Sequence, residues 1–400
     1  MNTPAKPGAG SFGAYFSLRL SAFYGTLGIA TGIGMPFFPV WLDYKGLSAR
    51  EIGIVLAVPM IIRIICVPLV TRVADRFNTL RGAIIITSIG SIVGHLALAS
   101  VDGFLAIVIA MAATAIFFTP TYPLADAYAL RGLAERGKAY GPVRLWSSAT
   151  FILANIGAGA LIAWLTRPSI IWLITSSYVI GVVLAWLLIP QTPHHDAGGE
   201  QKPPPKSLWR MPVFVLVVLA FGLIQSSHAV YYGFSTLAWS AKGLNDTTIG
   251  VLWGIGVIAE VCLFAASGFV TRFVSPIALI VIGAAGGVLR WSVMAFDPPL
   301  ALLPVLQCLH ALTFCATHIG GMQFIAHLAT PGRGAAAQGD LSASASAINA
   351  FAMGMSGILF SAYGDLAYAA MVLPALAGGI VALIAYFKWR DPHNERSLSP

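Results

Sequence analysis

Charge is what this 400-residue chain has least of. Asp, Glu, Lys and Arg make up 10% of it, against roughly a quarter in soluble domains, which excludes an ordinary soluble fold. Regular alternation of apolar and polar residues is also missing, and that excludes an outer-membrane barrel. Apolar stretches such as 83–100 run almost without a break, so the spanning elements are helices. Cysteine is scarce: Cys66, Cys262, Cys308 and Cys315 show no CxxC spacing and all fall in apolar runs, which speaks against structural zinc and a disulfide framework. No Walker lysine motif, HExxH or GxSxG is present, and Gly254-Ile255-Gly256 lies in an apolar run without a third glycine. Neither an ATP-driven engine, an enzyme, a resident cofactor nor a metal centre is expected.

What the chain has instead is length for about a dozen spans of roughly 20 apolar residues each. Apolar windows predict twelve, near 14–40, 51–70, 82–100, 104–129, 144–166, 169–189, 212–239, 248–270, 275–296, 299–328, 336–362 and 366–388. Lys6 and Arg19 precede an apolar run reaching Val40, longer than a cleaved signal's core, so a first span is expected there. The net charge of +8 comes from 23 Lys and Arg scattered in small groups, so nucleic acid is not an expected partner. These cations mark topology. Connections bearing Arg72, Arg76, Arg81, Arg131, Arg136, Lys138, Lys202, Lys206, Arg210, Arg272, Arg333, Lys388, Arg390 and Arg396 alternate with connections holding only Lys45, Arg50, Arg167 and Lys242. The positive-inside rule then places both termini in the cytoplasm of a bacterial-type inner membrane.

One connection stands apart. Residues 191–210, QTPHHDAGGEQKPPPKSLWR, are polar and rich in Pro and Gly, the composition of a cytoplasmic linker. It separates an N-terminal six-helix bundle over 1–190 from a C-terminal six-helix bundle over 211–400. His194, His195 and Asp196 within it read as a solvated loop. The halves look duplicated: Lys45-Gly46-Leu47-Ser48 with Ile52-Gly53 recurs 197 residues later as Lys242-Gly243-Leu244-Asn245 with Ile249-Gly250. The same offset lays Arg63 on Glu260, so a buried cation and a buried anion are expected at equivalent places.

A charge at membrane depth costs about 3 kcal/mol on insertion scales and therefore faces a partner or a cavity. Five stand out: Arg63, Asp126, Arg144, Glu260 and Arg290. Arg63 and Glu260 sit twelve residues into their spans, roughly 18 Å at 1.5 Å per residue, near the bilayer centre. Asp126 and Arg144 flank one tight connection and can pair, either as a static clasp or as part of a wet cavity, since Arg144, Ser148, Phe151 and Asn155 share a helical face. His228 has Gln225, Tyr231, Tyr232 and Ser235 around it, and His310 shares a face with Thr313, Phe314 and Thr317. An intramembrane histidine is commonly an interhelical hydrogen bond, and His95 is read so, but His228, His310 and His318 fall in the half that holds Glu260 and Arg290. Three arginines against two carboxylates favour an anionic ligand.

These residues also carry a resemblance. Thr71-Arg72-Val73-Ala74-Asp75-Arg76-Phe77-Asn78-Thr79-Leu80-Arg81 resembles the first cytoplasmic loop motif of the major facilitator superfamily, with Thr71 and Asn78 standing where the family has glycines. Asp75, Arg76 and Arg81 are then expected to form a conformational latch, the other role open to such a loop being purely topogenic. Asp126, Tyr140-Gly141-Pro142-Val143-Arg144-Leu145-Trp146, His228-Ala229-Val230-Tyr231-Tyr232, Glu260 and Leu309-His310-Ala311-Leu312-Thr313-Phe314 are similar to the lactose-permease-like branch, especially its 3-phenylpropionate permeases. The resemblance implies substrate binding by Asp126 and Arg144, and binding with proton coupling by Glu260, Arg290 and His310. It also shows a departure, because the branch's span 10 carboxylate falls at Thr313. Glu260, helped by His310 or His228, becomes the expected proton carrier.

The combined expectation is an all-α, twelve-helix secondary transporter that moves a small organic, aromatic carboxylate together with protons by alternating access. Arg63, Asp126, Arg144, Tyr232 and Arg290 are expected to bind substrate, and Glu260, His310 and His228 to couple the proton. A sugar or nucleoside is the alternative substrate, and drug efflux is a further one, although span 5 lacks the glycine-proline signature of antiporters. The lipid bilayer, the substrate and protons are the expected partners of a monomer.

Overall fold

The computed structural model describes residues 9–190, 208–328 and 334–389. It is helical, with no strand among the described residues. The first half gives α1 (Ala9–Tyr44), α2 (Ala49–Arg76), α3 (Leu80–Ser100), α4 (Phe104–Ala134), α5 (Gly141–Leu165) and α6 (Ser169–Leu187). The second gives α7 (Pro212–Ser226), α8 (Ala229–Ala241), α9 (Asp246–Val270), α10 (Pro276–Met294), α11 (Leu303–Cys308), α12 (Thr317–Leu328), α13 (Gly334–Tyr363) and α14 (Ala367–Lys388). Among the described residues, eleven stretches are long and apolar enough to cross a membrane, and the last, Ala337–Lys388, holds both α13 and α14. Most of the 191–210 linker, including His194, His195 and Asp196, lies outside the described residues, as do Lys6, Arg333, Arg390 and Arg396.

The chain forms two compact units, Met1–Gly199 with Trp239–Gly254, and Glu200–Ala238 with Ile255–Pro400. In the first, Phe16, Phe23, Tyr24, Leu124, Tyr128 and Val143 bury a core at the Asp126 end of the helices. Small residues set the crossing of α1 on α5: Cβ atoms on Gly28 and Gly32 would collide with the backbone of Ser147 and Phe151, and Thr150 donates to the Gly25 carbonyl at 2.9 Å. In the second unit Phe214, Phe221, Ile277, Ile280, Phe324 and Leu341 form the corresponding core.

The repeated Lys-Gly-Leu segments are one structural device used twice. Gly46 and Gly243 adopt φ of 81° and 85°, where a side chain would be strained, and close the preceding helix while Leu47 and Leu244 reach back to the carbonyls of Leu42 and Trp239. Ser48 and Asn245 then cap the next helix, accepting from the backbone of Glu51 and Thr248. Asn78, in the loop between α2 and α3, has φ of 51°, a conformation Asn tolerates better than most side chains.

Two spans of the second unit are irregular. Span 7 breaks between α7 and α8, where three successive side chains add bonds to three successive carbonyls: Ser226 bonds Leu223, Ser227 bonds Ile224, and the His228 ring bonds Gln225. Span 10 contains a π-helical turn at Ala311–Ala316. Such a turn is frequent at functional sites, and here His310 still stacks on Phe314 at 5.3 Å while Thr317 bonds back to the Thr313 carbonyl.

Candidate functional site

In the first unit the polar residues gather around one carboxylate. Asp126, on α4, accepts from the Tyr24 hydroxyl of α1 at 2.6 Å and from Tyr140, just ahead of α5, at 2.7 Å, both on Oδ1. Burial and then the Asp126 charge push the Tyr140 phenol up to about 12, so it stays a neutral donor. Pro142 presets the first turn of α5 and delivers Arg144, whose Nε lies 4.0 Å from the same Oδ1. That is a loose pair, and both side chains are 37% exposed. The guanidinium sits against the rings of Tyr122, at 5.0 Å, and Tyr24, at 5.5 Å. It makes no hydrogen bond among the described residues, so its planar N–H groups remain available to a ligand. Tyr122 is itself fixed by Ser147 at 2.6 Å.

Arg63 departs from expectation. It is exposed, not buried, and among the described residues it makes no ion pair or hydrogen bond. Helical spacing turns it away from Ile54, Ile61, Ile65 and Leu69, the exposed apolar row of α2.

In the second unit Arg290 is 0% exposed. Its Nη1 meets His310 Nδ1 at 3.2 Å and Thr313 Oγ1 at 3.4 Å, and its Nη2 donates to Gln307 Oε1 at 2.9 Å. The Tyr231 and Trp291 rings lie 4.6 and 4.7 Å from the guanidinium carbon, and Tyr231 also donates to Gln307 at 2.8 Å. His228 Nε2 is 2.9 Å from Thr313 Oγ1. His310 Nε2 faces Glu260 Oε2 at 3.5 Å, and Cys315 ties the π-helical turn to the Glu260 carbonyl. Tyr232 stacks on His228 with centroids 5.4 Å apart.

The hydrogens of this chain follow from its ends. Arginine only donates, so His310 Nδ1 is an acceptor and its proton sits on Nε2, toward Glu260. The Gln225 carbonyl only accepts, so His228 carries its proton on Nδ1 and takes the Thr313 hydroxyl on Nε2. Thr313 thus links the two histidines through Arg290.

The loop residues do not all meet. Asp75 pairs with Arg131 of α4 at 3.7 Å, and Arg131 also reaches Asn78 at 3.4 Å. Arg81 donates to the Trp186 carbonyl at 2.6 Å, while among the described residues Arg76 meets the neighbouring Phe77 ring, at 5.8 Å. Tyr24 and Gln307 join these clusters without having been singled out in the sequence, and Arg131, expected only as a topology cation, pairs with Asp75.

Residues 17–369 match the family model described as MFS_1 like family. The chain belongs to that family. It is 32% identical over 316 residues, 77% of this chain and 81% of the relative, to the probable 3-phenylpropionic acid transporter of Escherichia coli K12. It is 26% identical to the maltose permease of Geobacillus stearothermophilus over 70% of this chain and 71% of that one. Among solved structures, a mutant of the nucleoside transporter NupG superposes with a TM-score of 0.82 at 15% identity, covering 93% of this chain and 100% of that one, which establishes the fold. This MFS_1 like chain is a multi-pass membrane transporter and not an enzyme.

Proposed function

We propose that this transporter imports a small aromatic carboxylate together with protons, by alternating access, as a twelve-span monomer of the bacterial inner membrane with both termini in the cytoplasm. The observation that carries it is Arg144, a half-open guanidinium whose N–H groups no described residue uses, beside a carboxylate already held by two tyrosines. Such a cation takes a carboxylate through two charge-assisted hydrogen bonds. Arg63 adds compensating charge. The name of the Escherichia coli relative supports an aromatic acid.

Arg290, fully enclosed and bonded to three side chains, belongs in this scheme with the coupling residues. A proton arriving at Glu260 removes one negative charge as the substrate brings one. The proton stays on Glu260, whose carboxyl faces His310 Nε2, while Thr313 extends the hydrogen-bond network from Arg290 to His228. The matching pair of events keeps the buried charge balanced, which is the condition for binding both or neither.

A neutral polyol is the second reading. It is favoured by Asp126, whose three contacts all fall on Oδ1, leaving Oδ2 to accept a hydroxyl. Competition separates the two: 3-phenylpropionate should displace a bound aromatic acid at least about tenfold better than its amide, the size expected for charge-assisted hydrogen bonds. Equal potency of acid and amide, or displacement by maltose alone, overturns the carboxylate.

A further inference from the structure

A pocket of about 190 Å³ lies inside the first unit, walled by α1, α3, α4 and α6. Phe38, Phe118 and Tyr178 supply its rings, Met111 and Ile174 line it further, and Met35, 42% exposed, stands at its mouth. Two polar side chains matter here, His95 and Tyr178. His95, 7% exposed, places Nδ1 2.7 Å from the Ser91 carbonyl. A carbonyl can only accept, so the ring proton is on Nδ1 and Nε2 is a bare acceptor. The two nitrogens lie on different edges of the ring, so Nε2 turns away from the α3 backbone. Among the described residues it has no hydrogen-bond partner, and neither has the hydroxyl of Tyr178, whose ring centroid is 4.9 Å from that of His95. No charged residue lines the pocket.

We infer that this pocket binds a neutral, single-ring aromatic molecule bearing a hydroxyl, for which phenol is the parent. An apolar cavity of about 150 Å³ holds benzene, so the volume fits one ring with a small substituent. The aromatic walls offer edge and face contacts at ring-pair distances. A phenolic oxygen donates to His95 Nε2 and accepts from Tyr178, satisfying two polar groups that an acyl chain leaves unpaired at a desolvation cost. The lack of a cation excludes an ionised carboxylate. The site is therefore distinct from Arg144 and does not rest on the substrate proposed above.

The test uses the purified full chain in lipid nanodiscs, with 4-methylphenol and toluene as probes and ligand-observed NMR or calorimetry as readout. Wild type should bind 4-methylphenol saturably and about tenfold tighter than toluene, the worth of a buried hydrogen bond. His95→Phe should erase that preference and keep toluene binding. Gly34→Leu adds bulk from a pocket-lining position where the nearest atom to a new Cβ is 3.9 Å away, and should abolish saturable binding of both. Binding of 3-phenylpropionate, measured on the same samples, should be unchanged. Equal affinities in wild type, a phenol preference that survives His95→Phe, binding that survives Gly34→Leu, or no saturable binding because lipid fills the pocket would each overturn the assignment.

Discussion

Single side chains decide both clusters. Thr313 joins the second cluster, its hydroxyl accepting a hydrogen bond from Arg290 and donating one to His228. Thr313→Val keeps the volume and removes the link, leaving buried partners unsatisfied at a cost of about 1–3 kcal/mol. The melting temperature in detergent should fall for Val and be nearly restored by Ser; equal melting of the two would remove the hydroxyl from the account. Tyr24→Phe deletes one of the two hydrogen bonds on Asp126 and should weaken substrate binding about tenfold, the worth of a bond to a charged group, as titration of the purified variant would show. Asp126, Arg144, Glu260 and Arg290 were legible in the sequence because a charge in an apolar run is rare and costly. Tyr24 and Gln307 were not, because neutral polar residues are common in spans and their partners are up to 102 positions distant. Arg63 was legible as a cation, but its exposure depends on what the unit leaves open around α2, which no local pattern encodes.

At the level of elements, long apolar runs made the helices readable, and the Lys-Gly-Leu repeats made their caps readable. The irregular elements were hidden. At the break in span 7 serine hydroxyls bond back one turn, and the π-helical turn in span 10 has no composition of its own, so neither irregularity could be read from residue type. The α1–α5 crossing tolerates no added side chain, since Gly28 lies against the Ser147 backbone. Gly28→Leu should push the helices apart, displace Tyr24 and Arg144 from Asp126, and lower both the melting temperature and the yield of folded protein on size-exclusion chromatography. Wild-type melting with intact binding would show that the crossing tolerates separation.

For the whole molecule, transport requires exchange between states as well as binding, and the two are separable. Asp75 joins the end of α2 to α4 through Arg131, an exposed pair worth little to stability but positioned to bias a conformational equilibrium. Asp75→Asn should slow uptake severalfold with the substrate dissociation constant held within about twofold; loss of binding with normal exchange would end the latch role. The central claim, that the proton enters through Glu260, is tested most directly in proteoliposomes containing Glu260→Gln. This variant mimics the protonated carboxyl facing His310. Counterflow of radiolabelled 3-phenylpropionate should persist near the wild-type rate, while accumulation driven by a pH gradient disappears. Undiminished, gradient-dependent accumulation by the variant would contradict the account.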